Sequence, residues 1–311
     1  MMSRVSSASG SLPMLAFGRI LLRSLRPTFL LLTPACVALA IGIASQDGAT
    51  ITIVPVIAVL TGSLAAHASV NALNEYYDFR SGLDSRTDRT PFSGGSGALI
   101  DKPDAEGAVF AIAVVMLTIA VGFGVYFASN YGLALLPLAV AGLVLILTYT
   151  PWLTGRPIIG LFAPGLGFGV LLVLSACYVF AGRFSLTAFV TVLIPFLLVS
   201  NLQLMNQVPD YDADRSVGRE TFVIAFGTGA SAVTYGVLLT LAITTLVFAV
   251  LVRLLPVLAL VALVPMTAGI VAWRGLVRHG DDTDRLLPYM VANVIAAIGT
   301  PLVLGIELLL S

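Results

Sequence analysis

Nine long apolar stretches leave this chain very few ways to fold. Segments near 28–45, 51–77, 107–128, 132–149, 158–182, 186–205, 230–252, 254–273 and 287–310 run with almost no charge, each close to the roughly 20 residues an α-helix needs to cross a bilayer. Inside lipid every backbone N–H and C=O must find a partner within its own segment, so runs of this length form helices. The composition agrees, with 58% hydrophobic residues, 10% charged residues and a mean hydropathy of +1.02, against about 25% charged in soluble domains. The expected fold class is an all-α membrane protein with nine transmembrane helices. Residues 1–27 form an N-terminal arm, and 28–311 form one transmembrane domain. Ala38-Leu-Ala40 resembles a signal-peptide cleavage site, but the apolar run continues on both sides of it, so the first span is read as uncleaved. Cys36 and Cys177 both fall inside apolar stretches, where a thiol packs as a small hydrophobe.

The charges orient the spans. Of the 16 Lys and Arg residues, all but Arg183 and Arg253 fall on the side of the N-terminus, which the positive-inside rule makes cytoplasmic. The protein is expected in the cytoplasmic (inner) membrane, with its polar loops facing the cytoplasm. Acidic residues follow the same bias, Asp47 and Glu307 being the exceptions among 16. The insertion rule concerns Lys and Arg, so the acids need another cause, and function supplies one.

Two loops on that side are long and polar, 78–106 after the second span and 207–229 after the sixth, and loops of such length in a compact protein tend to be functional. Each opens on a run of acids: Asn74-Glu-Tyr-Tyr-Asp78 with Asp84 beyond it, and Asn206-Gln-Val-Pro-Asp210 with Asp212 and Asp214. A shift of 132 residues superposes Asn74 on Asn206, Asp78 on Asp210 and Asn71 on Gln203, which points to an internal repeat with the two clusters facing each other. On a helix Asn71, Asn74 and Asp78 make one polar stripe. Gly82 is placed to release that helix and return Asp84 toward it. Asp210 and Asp214 repeat the four-residue spacing, while Asp212 points elsewhere.

Oxygen ligands without His or Cys suit a hard cation. Mg2+ characteristically binds through one or two carboxylates together with phosphate oxygens. The cations Arg80, Arg86, Arg89, Lys102, Arg215 and Arg219 are candidates to grip the same anion, and the glycine-rich run 91–97 could form an anion nest from its N–H groups. Tyr76, Tyr77, Tyr149 and Tyr178 could face a carbocation, although interfacial belts account for many such residues. His67, about one turn before Asn71, reads as a packing or hydrogen-bonding residue. A transporter is the rival class, but it calls for ionisable groups near the bilayer midplane, whereas these acids sit at the border.

At these residues the chain resembles the UbiA superfamily of intramembrane prenyltransferases. Asn74, Asp78 and Asp84 match its first acidic motif, and Asp210 and Asp214 its second. The stretches 71–78 and 210–219 are most similar to the branch of 1,4-dihydroxy-2-naphthoate prenyltransferases. Glu75 stands where an Asp is common, and Glu220 follows Arg219 where basic residues are frequent. The resemblance implies a UbiA-like bundle of nine helices and Mg2+ held by Asp78, Asp84, Asp210 and Asp214. It implies catalytic roles for Asp78, Asp210 and Asn74, and substrate contacts from Asn71, Arg80, Lys102, Arg215, Arg219 and Tyr149. The implied reaction moves a polyprenyl group from a polyprenyl diphosphate to an aromatic acceptor, 1,4-dihydroxy-2-naphthoate in quinone biosynthesis. 4-Hydroxybenzoate, homogentisate, a glycerol lipid or haem stand as other acceptors. Membrane lipid is an expected partner and nucleic acid is not.

Overall fold

The computed structural model describes residues 14–311, and among them every regular element is helical. A short helix, α1 (Met14–Ser24), precedes the apolar spans. The spans are α2 (Phe29–Gln46), α3 (Ile53–Ser81), α4 (Pro103–Tyr131), the shorter α5 (Leu133–Tyr149), α6 (Pro157–Ala181) and α7 (Leu186–Asn206). After the six-residue α8 (Tyr211–Ser216) come α9 (Phe222–Leu251), α10 (Val257–His279) and α11 (Thr283–Leu310). Among the described residues eight apolar helices are long enough to cross a membrane, and α5 is a shorter ninth. Cys36 and Cys177 are free and buried.

The sequence did not foresee α1 within the 1–27 arm, and it placed the seventh span eight residues late. That span begins at Phe222 and is kinked at Gly227, whose φ of 80° and ψ of 169° interrupt the helix. Only glycine visits such backbone without strain.

Burial ranks the helices. In α7 67% of the apolar window lies inside the protein, in α4 only 11%, so α7 is the central post and α4 presents most of its surface to lipid. A buried polar triad ties α7 to two neighbours: Asn201 Nδ2 donates to the Tyr235 carbonyl (3.1 Å), Tyr235 donates to Asn293 Oδ1 (2.7 Å), and Asn293 Nδ2 donates to the Asn201 carbonyl (3.3 Å). Within an apolar bundle such bonds hold the helices in register, because a polar group left alone there is penalised. Further cross-links are Gln46 to the Leu308 carbonyl (2.8 Å), Ser69 to the Ala113 carbonyl (3.0 Å) and Trp273 Nε1 to the Ala232 carbonyl (2.9 Å).

Candidate active site

The polar ends of α3 and α7 open on one cavity of about 610 Å3, whose walls run down between α3, α4, α5 and α6. α3 continues past its apolar part as one helix, which puts Asn71, Asn74 and Asp78 along the cavity wall. Asn74 Nδ2 donates to Asp78 Oδ2 at 2.7 Å and lies 3.4 Å from Thr150 Oγ1. Gly82, at φ 75°, ends the helix in the left-handed conformation, and the Leu83 N–H turns back onto the Asp78 carbonyl at 3.0 Å. Asp84 is thereby folded against the same wall and buried, as the spacing predicted.

The second cluster is built differently. Asn206 ends α7, Asp210 stands just before α8, and the Asp214 N–H bonds the Asp210 carbonyl at 2.8 Å. Asp210 and Asp214 line the cavity, whereas Asp212 and Glu220 are exposed. Arg219 joins the clusters: its guanidinium pairs with Asp78 and reaches Asp214 Oδ1 at 3.5 Å.

Burial pushes the Asp84 carboxyl up to about 7, with help from the neighbouring carboxylates of Asp78 and Glu75. Asp210 is pushed up to about 7 by burial and by Asp214. Asp214 is pushed up to about 6 by burial, while Arg219 pulls it back. These are acids short of positive charge. Their hydrogen bonding agrees, since Asp84 Oδ2, Asp210 Oδ1 and Asn206 Oδ1 are buried without a partner. Three open oxygens around one cavity fit a hard cation. Among the described residues no three Asp, Glu, His or Cys side chains gather as a metal cage.

The cations expected at the site divide. Arg219 lines the cavity, as do Asn71 and Tyr149. Arg80, Lys102 and Arg215 do not line it. Arg80 is 62% exposed on its side chain, donates to the Tyr76 hydroxyl at 2.8 Å and lies 3.6 Å from Glu106. Lys102 is exposed at the turn before α4. Arg215 is exposed on α8, 3.3 Å from the Tyr211 hydroxyl. Each sits on the face of its element turned to solvent, which proximity in sequence does not reveal. Arg86 donates to the Ser216 carbonyl at 3.0 Å, and Arg156 stacks over Trp152 at 5.7 Å; neither lines the cavity. Asn71 spends its amide on the Leu25 carbonyl, 2.9 Å away, and His67 is hydrogen-bonded to Thr33 at 2.9 Å.

That bond from Asn71 anchors the connector between α1 and α2, where a residue missed in the sequence enters the cavity. Arg26, in left-handed backbone at φ 50°, lines it with Nε and Nη2 buried and without hydrogen-bond partners. A non-glycine residue holds that conformation at a cost of about 1 kcal/mol or more, a strain that concentrates at functional sites. Nothing in the sequence separates Arg26 from Arg19 and Arg23, which the same positive-inside rule explains. The anion nest is also corrected: the Ser96 and Ala98 N–H groups are occupied by the protein's own Glu75, at 2.9 and 3.0 Å.

Fold and site together define a polytopic helical membrane protein with an acidic cavity at one membrane border. A sequence model of the UbiA prenyltransferase family matches residues 16–295, and the chain belongs to that family. It is similar to a 1,4-dihydroxy-2-naphthoate octaprenyltransferase of Bacillus subtilis (strain 168), 26% identical over 173 residues, which are 55% of this chain and 54% of that protein; the match thus spans about half of the relative. Among solved structures, a UbiA homologue from Archaeoglobus fulgidus bound to DMAPP and Mg2+ superposes with a TM-score of 0.65 at 14% identity, over 93% of this chain and 98% of that one. The apo homologue from Aeropyrum pernix K1 gives 0.67 at 16%, over 89% and 97%. A digeranylgeranylglyceryl phosphate synthase gives 0.67 at 16%, over 95% and 99%. At these identities the likeness establishes the fold.

Proposed function

We propose that the protein transfers a polyprenyl group from a polyprenyl diphosphate to an aromatic acceptor in a Mg2+-dependent reaction, the acceptor being 1,4-dihydroxy-2-naphthoate. One observation carries the reading: acids from two distant segments share a cavity, and two of them keep unpartnered oxygens, while the cavity continues between apolar helix faces. A diphosphate with an apolar tail matches both halves. The A. fulgidus homologue bound to DMAPP and Mg2+ supports the donor class, and the B. subtilis relative supports the acceptor.

Asp78, Asp84, Asp210 and Asp214 would hold Mg2+. When bound, the ion supplies charge neutralisation for a diphosphate leaving group, worth several kcal/mol. Asn74 fixes the Asp78 carboxylate through its 2.7 Å bond. Arg219 and Arg26 bring guanidinium groups to the diphosphate, as Arg commonly does for phosphate. Tyr149 offers its ring to positive charge on the allylic carbon. The apolar walls exclude water from that carbon, so that the electron-rich ring of the acceptor attacks it as the bond to the diphosphate breaks; the attacked ring carbon then regains aromaticity by releasing its own substituent, a proton or, at the carboxyl-bearing position, CO2. The acids cluster at the polar ends of α3 and α7, away from the bilayer midplane where a transporter would carry them.

The test offers purified protein one polyprenyl diphosphate with equal concentrations of dihydroxynaphthoate, 4-hydroxybenzoate, homogentisate and a glycerol-phosphate lipid, and follows products by mass spectrometry. Dihydroxynaphthoate is expected to react fastest. Preferential prenylation of the glycerol lipid would overturn the aromatic acceptor. The cytoplasmic orientation is tested separately with single cysteines at the exposed positions Ser216 and Ser129. An impermeant reagent should reach the first from the cytoplasm and the second from outside; labelling of both from one side refutes the orientation.

A further inference from the structure

Glu75 is the one acid of the first cluster that this chemistry leaves without a task. It follows Asn74 on α3, yet it is fully buried and does not line the cavity. Both its oxygens are engaged. Oε1 accepts from the Ser96 hydroxyl (2.7 Å) and the Ala98 N–H (3.0 Å), and Oε2 accepts from the Ser96 N–H (2.9 Å) and stands 3.5 Å from Arg26 Nη2. A buried carboxylate is expensive unless satisfied in this way. Asp84 and Asp210 instead keep a bare oxygen each. The contrast separates a carboxylate spent on the scaffold from carboxylates held open for a ligand.

The loop gathered by Glu75 leads back to the site. Gly94 and Gly95 line the cavity, and a Cβ on Gly95 would stand 2.8 Å from Asp84 Oδ1, so the loop backbone rests against the Asp84 carboxylate. From the other side, Arg23 of α1 donates to the Ser96 carbonyl at 2.9 Å and pairs with Asp101 at 2.8 Å. Arg23 thus couples α1 to the same loop, and Arg26, just past α1, meets Glu75 itself.

We propose that Glu75 is a positioning residue. It binds the 93–98 loop, and α1 through it, against the wall that carries Asp84, and it does not ligate the ion. This rests on the metal-dependent reading above and deepens it. The test follows amide hydrogen exchange at Ser96 and Ala98 in the purified full-length protein, metal-free and with Mg2+ plus inorganic diphosphate, beside the Mg2+ dependence of turnover. Both amides should stay protected in the wild type in both conditions and exchange at least about tenfold faster in Glu75→Gln. Glu75→Gln should need roughly tenfold more Mg2+ for half-maximal rate, as happens when a partner that orients a metal ligand is lost, with turnover at saturating Mg2+ within about threefold. Ser96→Ala keeps the carboxylate, removes the 2.7 Å bond and should shift the Mg2+ requirement in the same direction; it carries the test if Glu75→Gln does not fold. A metal ligand would behave otherwise: Mg2+ and diphosphate would release the two amides in the wild type, and Ser96→Ala would leave the Mg2+ requirement unchanged. Either result overturns the proposal. Exchange in the metal-free protein needs neither donor nor acceptor, so its outcome is distinguishable from failure of the transfer reaction.

Discussion

In the first acidic cluster Asn74 and Asp78 lie one turn apart on a single helix of 29 residues, whereas in the second Asn206 ends α7 and Asp210 lies beyond it, in the turn before α8. The spacing in sequence is the same and the scaffolds are not. The first cluster takes its stiffness from α3. The second rests on a helix of six residues, too short to persist without tertiary support. That support comes from three cross-links: Arg219 to Asp78 and Asp214, Gln207 Oε1 accepting the Phe222 N–H at 3.0 Å, and Arg86 of the first loop bonding Ser216. One of the three reaches the first cluster and another the loop that follows it, so the second cluster leans on the first segment for its support.

Removal of divalent metal affects both clusters at once and should have the largest effect. With a chelator, prenyl transfer should fall to background and return with Mg2+. A residual rate above about 1% would remove the metal from the mechanism. Next come the two central acids. Asp78→Ala and Asp210→Ala should each lower turnover about a hundredfold, or roughly 3 kcal/mol of transition-state stabilisation. Their thermal stabilities should differ, because Asp78→Ala strips Arg219 of its nearer partner while Asp210 Oδ1 has none to lose. Equal loss of apparent melting temperature in the two variants would show that the second cluster does not lean on Asp78.

Arg219→Ala should come third, with a loss of about tenfold or more in turnover together with lower stability, since it leaves buried carboxylates uncompensated. Arg80→Ala, Lys102→Ala and Arg215→Ala, all exposed, should stay within about twofold of wild type. Steady-state rates decide it, and a large defect in any of those three would return that cation to the site.

The smallest effect is a trend with pH. In the metal-free protein Asp84 and Asp210 sit near 7 and Asp214 near 6, above the ordinary carboxyl value of about 4. A folded-state value raised in this way contributes stability that is complete below the unfolded value and is lost as pH rises through the folded one. Melting of metal-free protein should therefore shift downward between pH 5 and 8. Saturating Mg2+ should cancel or invert that shift, because it binds the ionised carboxylates. Parallel melting profiles with and without Mg2+ would separate the raised acids from the metal.

Much of the site was legible where local rules govern. Gly82 and the return of Asp84 followed from the left-handed end of a helix, and the outward direction of Asp212 from helical periodicity. The residues that lie away from the cavity share a cause. Arg80, Lys102 and Arg215 were assigned by nearness along the chain, but which way a cation points depends on the face its element turns to the interior. The run at 91–97 reads as a cradle for a ligand anion, but its Ser96 N–H is taken by the protein's own Glu75, 21 residues earlier in sequence. Arg26 was passed over because insertion charge alone explains an Arg before a first span.

By itself the sequence determined the helical class, the integral-membrane character and the succession of apolar helices, because the transfer of a segment into lipid depends on that segment's own residues and is nearly independent of the rest of the chain. The tertiary structure decided which acids share a cavity, which cations enter it and which carboxylate is consumed by the scaffold. Those outcomes turn on pairs such as Arg219 with Asp78, 141 residues apart. Such a pair forms or fails according to how helices rotate and cross, and no local rule along the chain specifies that angle.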